Sequence, residues 1–384
     1  MKTSSISEDI ASADAHDLSV SGAAIAMAAA STSGSQTYTG NVTLNGDLTG
    51  SAIGITGNAT LAGGKRTLTA NGANGGVALS GALNGSAQQA VIVASDGDVT
   101  LGGNAPNLAS LTITGNNIDL RQVATTGAQQ YNGATTLRGA YPTANGPFGV
   151  DGATTLATTV SVTTGSGAVA FTGAMSGANA LTVTSIGTTT YGGAVDIASL
   201  NQAGTGDTAI NGGSVTTSGT QTYVGHVTLG EDAVLTGATV TLANGADGAH
   251  ALEIDGTALL TGAIGATTKL ASLTVDGAAT LNAGSIATTG NQRYKGAVTL
   301  SGDHTLSATT GGVAWSSSSS PSIAIGARSY VGFTDVAGSS AGPIAIQNLT
   351  SRVTIQTVIS PTSELDLSAE VQLDGAATLE VVYL

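Results

Sequence analysis

Ser33-Gly34-Ser35-Gln36-Thr37-Tyr38-Thr39-Gly40-Asn41-Val42-Thr43-Leu44 decides the fold, because the chain repeats it. TGAQQYNGATTL ends at Leu137, SGTQTYVGHVTL at Leu229 and TGNQRYKGAVTL at Leu300. A degraded copy, IGTTTYGGAVDI, ends at Ile197 and has lost the Gln. A second unit, LASLTITG (Leu108 to Gly115), returns as LASLTVDG (Leu270 to Gly277). Internal repetition of this kind is the signature of solenoids. Tyr38, Tyr131, Tyr191, Tyr223 and Tyr294 are 93, 60, 32 and 71 residues apart, intervals near multiples of 10. A short strand plus a turn has about that length.

The local pattern agrees. Val227-Thr228-Leu229, Val240-Thr241-Leu242, Leu252-Glu253-Ile254 and Leu273-Thr274-Val275 alternate apolar and polar, as half-buried strands do. Asn45-Gly46, Asn244-Gly245, Asp255-Gly256 and Asp276-Gly277 supply turns beside such strands. The expected fold is all-β, a parallel β-helix (β-solenoid) with distinct N- and C-terminal capping or assembly segments. Coils of roughly 20–30 residues, stacked at ~4.8 Å, predict a rod of about 50–75 Å. Its narrow interior is expected to favour Val, Leu, Ile, Ala and Thr over aromatic rings.

Glycine marks the organisation. Residues 1–33 and 343–384 hold one each, Gly22 and Gly375, and the other 54 of the 56 lie between. The reading is an N-terminal cap or assembly segment at 1–33, a Gly/Thr-rich solenoid body at 34–314, and a Gly-poor C-terminal β segment at 315–384. Ser5-Ile6-Ser7-Glu8 fits a capping box, so a helix is expected within 4–30. Ala23 to Ala30 is a weak match to a signal-peptide core, but Glu8, Asp9, Asp14 and Asp17 stand where positive charge belongs, so no cleavable signal is read here.

Composition narrows the function. The 384-residue chain carries 10 Lys and Arg against 24 Asp and Glu, a net charge of −14. Such a balance offers no basic stripe for nucleic acid and no attraction to anionic membranes. Cysteine is absent, which removes disulfides, thiol nucleophiles and thiolate metal sites. No apolar run approaches the ~18 residues of a membrane-spanning helix.

The chemistry-bearing residues are scattered. His16, His226, His250 and His304 lack a second His at helical spacing, and each reads as a surface side chain. Asp47, Asp98, Asp207, Asp247, Asp255, Asp276 and Asp303 fall in or beside turns, where Asp bonds neighbouring backbone. A catalytic carboxylate pair of the polysaccharide-cleaving type is the weaker reading. Asp96-Gly97-Asp98 and Glu231-Asp232 offer calcium at most a weak site, with no EF-hand or β-roll motif around them. No catalytic, cofactor-binding or metal residue is assigned, and no cofactor is expected. For Gln-x-Tyr-x-Gly the structural reading is a Tyr at a coil corner and a Gln laddering with backbone or with another Gln; the functional one is a binding stripe.

TSGTQTYVGHVTL (217–229), VLTGATVTL (234–242) and LASLTVDGAATLNAGSIATTG (270–290) resemble the strand repeats of large bacterial exoproteins, the filamentous-haemagglutinin-like and autotransporter-passenger-like surface proteins. The resemblance covers about residues 31–310. It implies a secreted or surface-displayed β-solenoid acting as a fibre or adhesin. The leading expectation is a non-catalytic extracellular structural protein that self-assembles into a fibre, matrix or layer. The alternative is an adhesin for a cell-surface glycan or protein, and the third a polysaccharide-active enzyme. Ice binding is set aside because Thr looks irregularly spread. Head-to-tail self-association is assigned to the apolar extremes, through Leu18, Val20, Ile25, Met27, Leu379, Val381, Val382, Tyr383 and Leu384. Neither nucleic acid nor membrane insertion is expected.

Overall fold

A computed structural model describes residues 3–6, 10–11, 16–85, 89–301, 305–308 and 313–315. It is an all-β solenoid of about 15 turns. Every strand pairing is parallel, and each strand meets its counterpart one coil away. Each full coil has three strands and so three faces. The first face runs through Ile53–Ile55, Val77–Leu79, Val99–Leu101 and onward to Gln292–Tyr294. The second runs through Ala59–Leu61, Thr220–Tyr223 and Ala279–Leu281. The third runs through Arg66–Ala70, Val169–Phe171, Thr189–Tyr191 and Val227–Leu229.

Coil length runs from 17 residues (Gln36↔Ile53) to 25 (Arg66↔Val91). The strand-turn unit is therefore shorter than the ten residues read from the tyrosine intervals. Those intervals follow no coil length because the copies lie on different faces. Gln36-Tyr38 and Gln292-Tyr294 are on the first face, Gln129-Tyr131 on the third and Gln221-Tyr223 on the second. At ~4.8 Å per coil the stack is about 70 Å long.

Alternation does the sorting: one residue points in, the next out. Ile55, Leu79, Leu101 and Leu120 form one inward column, each no more than 2% exposed. Ile113, Tyr131, Val150, Phe171, Tyr191, Ile210 and Leu229 form another on the third face. This column corrects the expectation that aromatic rings fit the interior poorly. Phe171 and Tyr191 stack with centroids 5.7 Å apart and planes 7° apart, and Phe148 lies 5.7 Å from Phe171. A ring repeated in neighbouring coils finds its partner along the rod axis, so the stacking direction supplies the room that the cross-section lacks.

Glycine lines the corners for a steric reason. Gly133, Gly152, Gly173, Gly193 and Gly212 occupy one corner in successive coils. A Cβ on Gly173 would lie 2.4 Å from the Gly152 carbonyl carbon, and one on Gly212 2.1 Å from that of Gly193. The direction a side chain would take is filled by backbone of the coil before.

The helix expected within 4–30 is not formed. Thr3–Ile6, Ile10–Ala11 and Leu18–Met27 are strands of the same stack, with Thr3–Ile6 in register on residues 24–27. Residues 24–27 also pair with 41–44, so parallel neighbours on both sides prevail over a local capping signal. The C-terminal β segment assigned to 315–384 lies outside the described residues apart from Trp315.

Candidate functional site

The repeated Gln and Tyr form one internal device. Gln36, Gln129, Gln221 and Gln292 are at most 1% exposed, and so are their tyrosines. The hydroxyls of Tyr38, Tyr131 and Tyr223 donate to the Oε1 of Gln36, Gln129 and Gln221 at 2.8, 2.9 and 3.0 Å. Each Gln Nε2 then donates across a corner and to the following coil. Gln36 reaches the carbonyls of Ala30 (3.2 Å) and Thr49 (2.7 Å). Gln129 reaches Val123 (3.2 Å) and Pro142 (3.0 Å), and Gln221 reaches Val215 and Thr236, both at 2.8 Å. Gln292 reaches Ile286 (3.1 Å) and Ser307 (2.8 Å). The backbone half of the structural reading thus holds. The Tyr does not cap a corner, however; it fills the core and satisfies the Gln oxygen.

One residue before each repeat stands a further member that sequence reading missed. Thr32, Thr125, Thr217 and Thr288 are buried, and each Oγ1 donates to the glycine carbonyl two residues on, at 2.8, 2.6, 3.0 and 2.6 Å. The working motif is Thr-[Ser/Thr]-Gly-x-Gln-x-Tyr, and the common Thr was its signal. The copy around Tyr191 lacks the Gln; there Gln202 Nε2, from the next coil, bonds the Tyr191 hydroxyl instead.

Burial raises the phenol pKa of Tyr38, Tyr131, Tyr141, Tyr191, Tyr223 and Tyr294, since an anion there would lose its water. These six rings present no binding stripe. Tyr330 and Tyr383 lie outside the described residues.

Charged side chains also bridge coils. Arg138 pairs with Asp119, and Lys295 Nζ lies 2.6 Å from Asp276 Oδ1. The carboxylates of Asp17, Asp47 and Asp232 accept backbone N–H groups of Ser35 (2.7 Å), Thr67 (2.9 Å) and Ala251 (2.9 Å). The Ser35 amide, then its hydroxyl, lowers the pKa of Asp17. Of the aspartates expected to bond backbone, Asp47 and Asp247 do so, in the adjacent coil rather than in their own turn, whereas Asp98 accepts Asn117 Nδ2 and Asp276 pairs with Lys295.

His226 departs from its reading as a surface residue. It is about a quarter exposed, and its Nε2 lies 3.2 Å from Asp247 Oδ2. Asp247 is 8% exposed, and its Oδ1 accepts the amides of Thr267 (3.2 Å) and Thr268 (3.3 Å). Three successive coils meet there. His250 Nδ1 lies 3.6 Å from Asp232, while His304 and Asp303 are outside the described residues.

The calcium candidates stay apart. Asp98 accepts Asn117 Nδ2 at 2.8 Å, and Asp232 is engaged by Ala251 and His250. Among the described residues no three His, Asp or Glu side chains converge as a metal cluster, and no helix is long and apolar enough to cross a membrane. A shallow depression of about 410 Å³ crosses the first face where its outward column narrows to Gly54 and Ala78 between Thr37 and Thr100.

Of the residues assigned to assembly, Ile25 and Met27 are 1% and 0% exposed, inside a coil. Leu18 and Val20 are half-buried against the core. Leu379, Val381, Val382, Tyr383 and Leu384 lie outside the described residues. No family model matches the chain, and no match was found among the curated proteins or the solved structures.

Proposed function

We propose that this chain is a non-catalytic structural protein, an extracellular β-solenoid that assembles head to tail into a surface fibre, matrix or layer. The observation that supports it most is where the chemistry goes. Gln Nε2 groups and the paired charges are spent on joining one coil to the next, while Tyr and the corner Thr brace each Gln and its corner from within the coil, which is what a load-carrying rod needs. The likeness of its repeats to bacterial exoproteins supports the same reading, as does the low charge density. The parallel stack can also continue from one copy to another, because a coil edge offers the N–H and C=O groups that the next coil takes up. Such a head-to-tail contact is heterologous and grows without closing.

Electron microscopy of the purified chain tests it. Filaments many times longer than one rod are expected. Monodisperse single rods at high concentration would end the fibre reading and favour the adhesin. Polysaccharide cleavage abolished by one Asp→Asn change would favour the enzyme.

A further inference from the structure

The three faces differ in charge. The first carries Asp119, Asp196, Glu253 and Arg293 on its strands, and the third carries Arg66, Asp151 and Asp247. Among the described residues, the stretches that form the second face carry no Asp, Glu, Lys, Arg or His, from 3–6 through 59–61, 139–142, 220–223 and 257–260 to 298–300, and the charges of the strands that run onto it, such as Arg138 and Asp255, stand at the corner beside it or on the first face. What it presents outward is a column, Thr182–Asn201–Thr222–Thr241–Leu259–Thr280, half-buried or exposed. Beside it runs a second column, Thr220–Thr239–Thr257. The threonines that look irregular along the chain are regular in space.

We propose that the second face is the surface on which two copies of this chain pair side by side. Net charge argues for it first. Each copy carries −14, so two rods repel wherever their charged faces meet, and like charges brought together cost several kcal/mol. The second face keeps them at its edge and out of the centre of the contact, and charged residues are depleted from the core of real interfaces. Area argues for it next. Strands of three or four residues are about 10–13 Å wide, and along a ~70 Å stack they offer on the order of 800 Å² per partner. That is the size of a standard stable interface. A two-fold axis lays the same face on itself, giving a closed pair. The pairing does not depend on end-to-end growth; it adds width where head-to-tail contact adds length.

The test is sedimentation equilibrium of the whole chain, with microscopy for rod width. The parent should sediment as multiples of a pair of 36.9 kDa chains, and any filament should be two rods wide. Thr222→Glu/Thr241→Glu places facing negative charges in the contact and should weaken pairing about tenfold or more. Asn201→Glu, at a single exposed site, should act in the same direction. Thr190→Glu/Thr228→Glu on the third face should leave pairing unchanged, with circular dichroism confirming that all variants are folded. A monomeric parent, filaments one rod wide, or equal loss in the third-face variant would overturn the proposal. The one-rod filament would leave the fibre reading intact. A monomer that instead sediments with an insoluble polysaccharide would assign the face to that partner.

Discussion

The Tyr223 hydroxyl donates to Gln221 Oε1 at 3.0 Å with both side chains sealed in the rod. Gln221 in turn holds the carbonyls of Val215 and Thr236. Gln221→Ala removes all three bonds and leaves buried groups without partners. It should destabilise the chain by about 2–4 kcal/mol, and Tyr223→Phe, which removes one bond, by about 1 kcal/mol. Urea unfolding of both variants checks the order. Equal, negligible shifts would mean that the Gln is not a staple.

Corner glycines divide into two groups by the space beside them. Gly173→Ala puts a methyl group 2.4 Å from backbone, and backbone cannot rotate away as a side chain can. Gly64 and Gly284 have nothing within 4 Å of a built Cβ. Gly173→Ala should lower the melting temperature by several degrees, while Gly64→Ala and Gly284→Ala should be near neutral. Limited proteolysis should show new cleavage near the Gly173 coil alone.

Two inward threonines lack what the corner threonines have. Thr154 and Thr208 are 1% and 0% exposed, and neither Oγ1 has a hydrogen-bond partner. Their columns are otherwise partly apolar, with Met175 beside Thr154 and Val227 beside Thr208. Thr→Val keeps the shape and removes an unsatisfied hydroxyl, so each variant should gain stability, by about 1 kcal/mol. Thermal denaturation reads the sign. A loss in both would show that these hydroxyls are bonded in solution.

Alkaline pH should unfold the rod through its tyrosines. Their folded pKa values lie above the ordinary 10.0 because burial penalises the phenolate. The unfolded chain therefore releases protons that the folded chain retains. The stability they contribute is complete below pH 10 and is lost as pH rises above it. Phenolate absorbance of the six buried rings should rise together with the loss of β-sheet circular dichroism. Their titration near pH 10 in a folded protein would contradict the buried placement.

Much of this architecture is written locally. Val227-Thr228-Leu229 and Leu273-Thr274-Val275 alternate as they sit, inward and outward, because a strand side chain has only two directions. The Gln-x-Tyr repeat announced its importance, but not its partners. The groups Gln221 bonds lie six residues back and fifteen ahead, positions set by coil length, which varies too much to be read from spacing. The segment Ser5-Ile6-Ser7-Glu8 misled for a related reason: its helix signal is local, whereas Thr3–Ile6 takes its conformation from residues 24–27. The uncharged second face was hidden too, since Thr222, Thr241 and Thr280 become neighbours only once the register is known.

Whether one parallel rod continues from copy to copy is read by electron diffraction from assemblies of the purified chain. Continuous stacking gives long filaments with an axial repeat of about 4.8 Å along the filament axis, uninterrupted at the junctions between copies. Isolated rods about 70 Å long, or filaments whose 4.8 Å spacing runs across the axis, would contradict it.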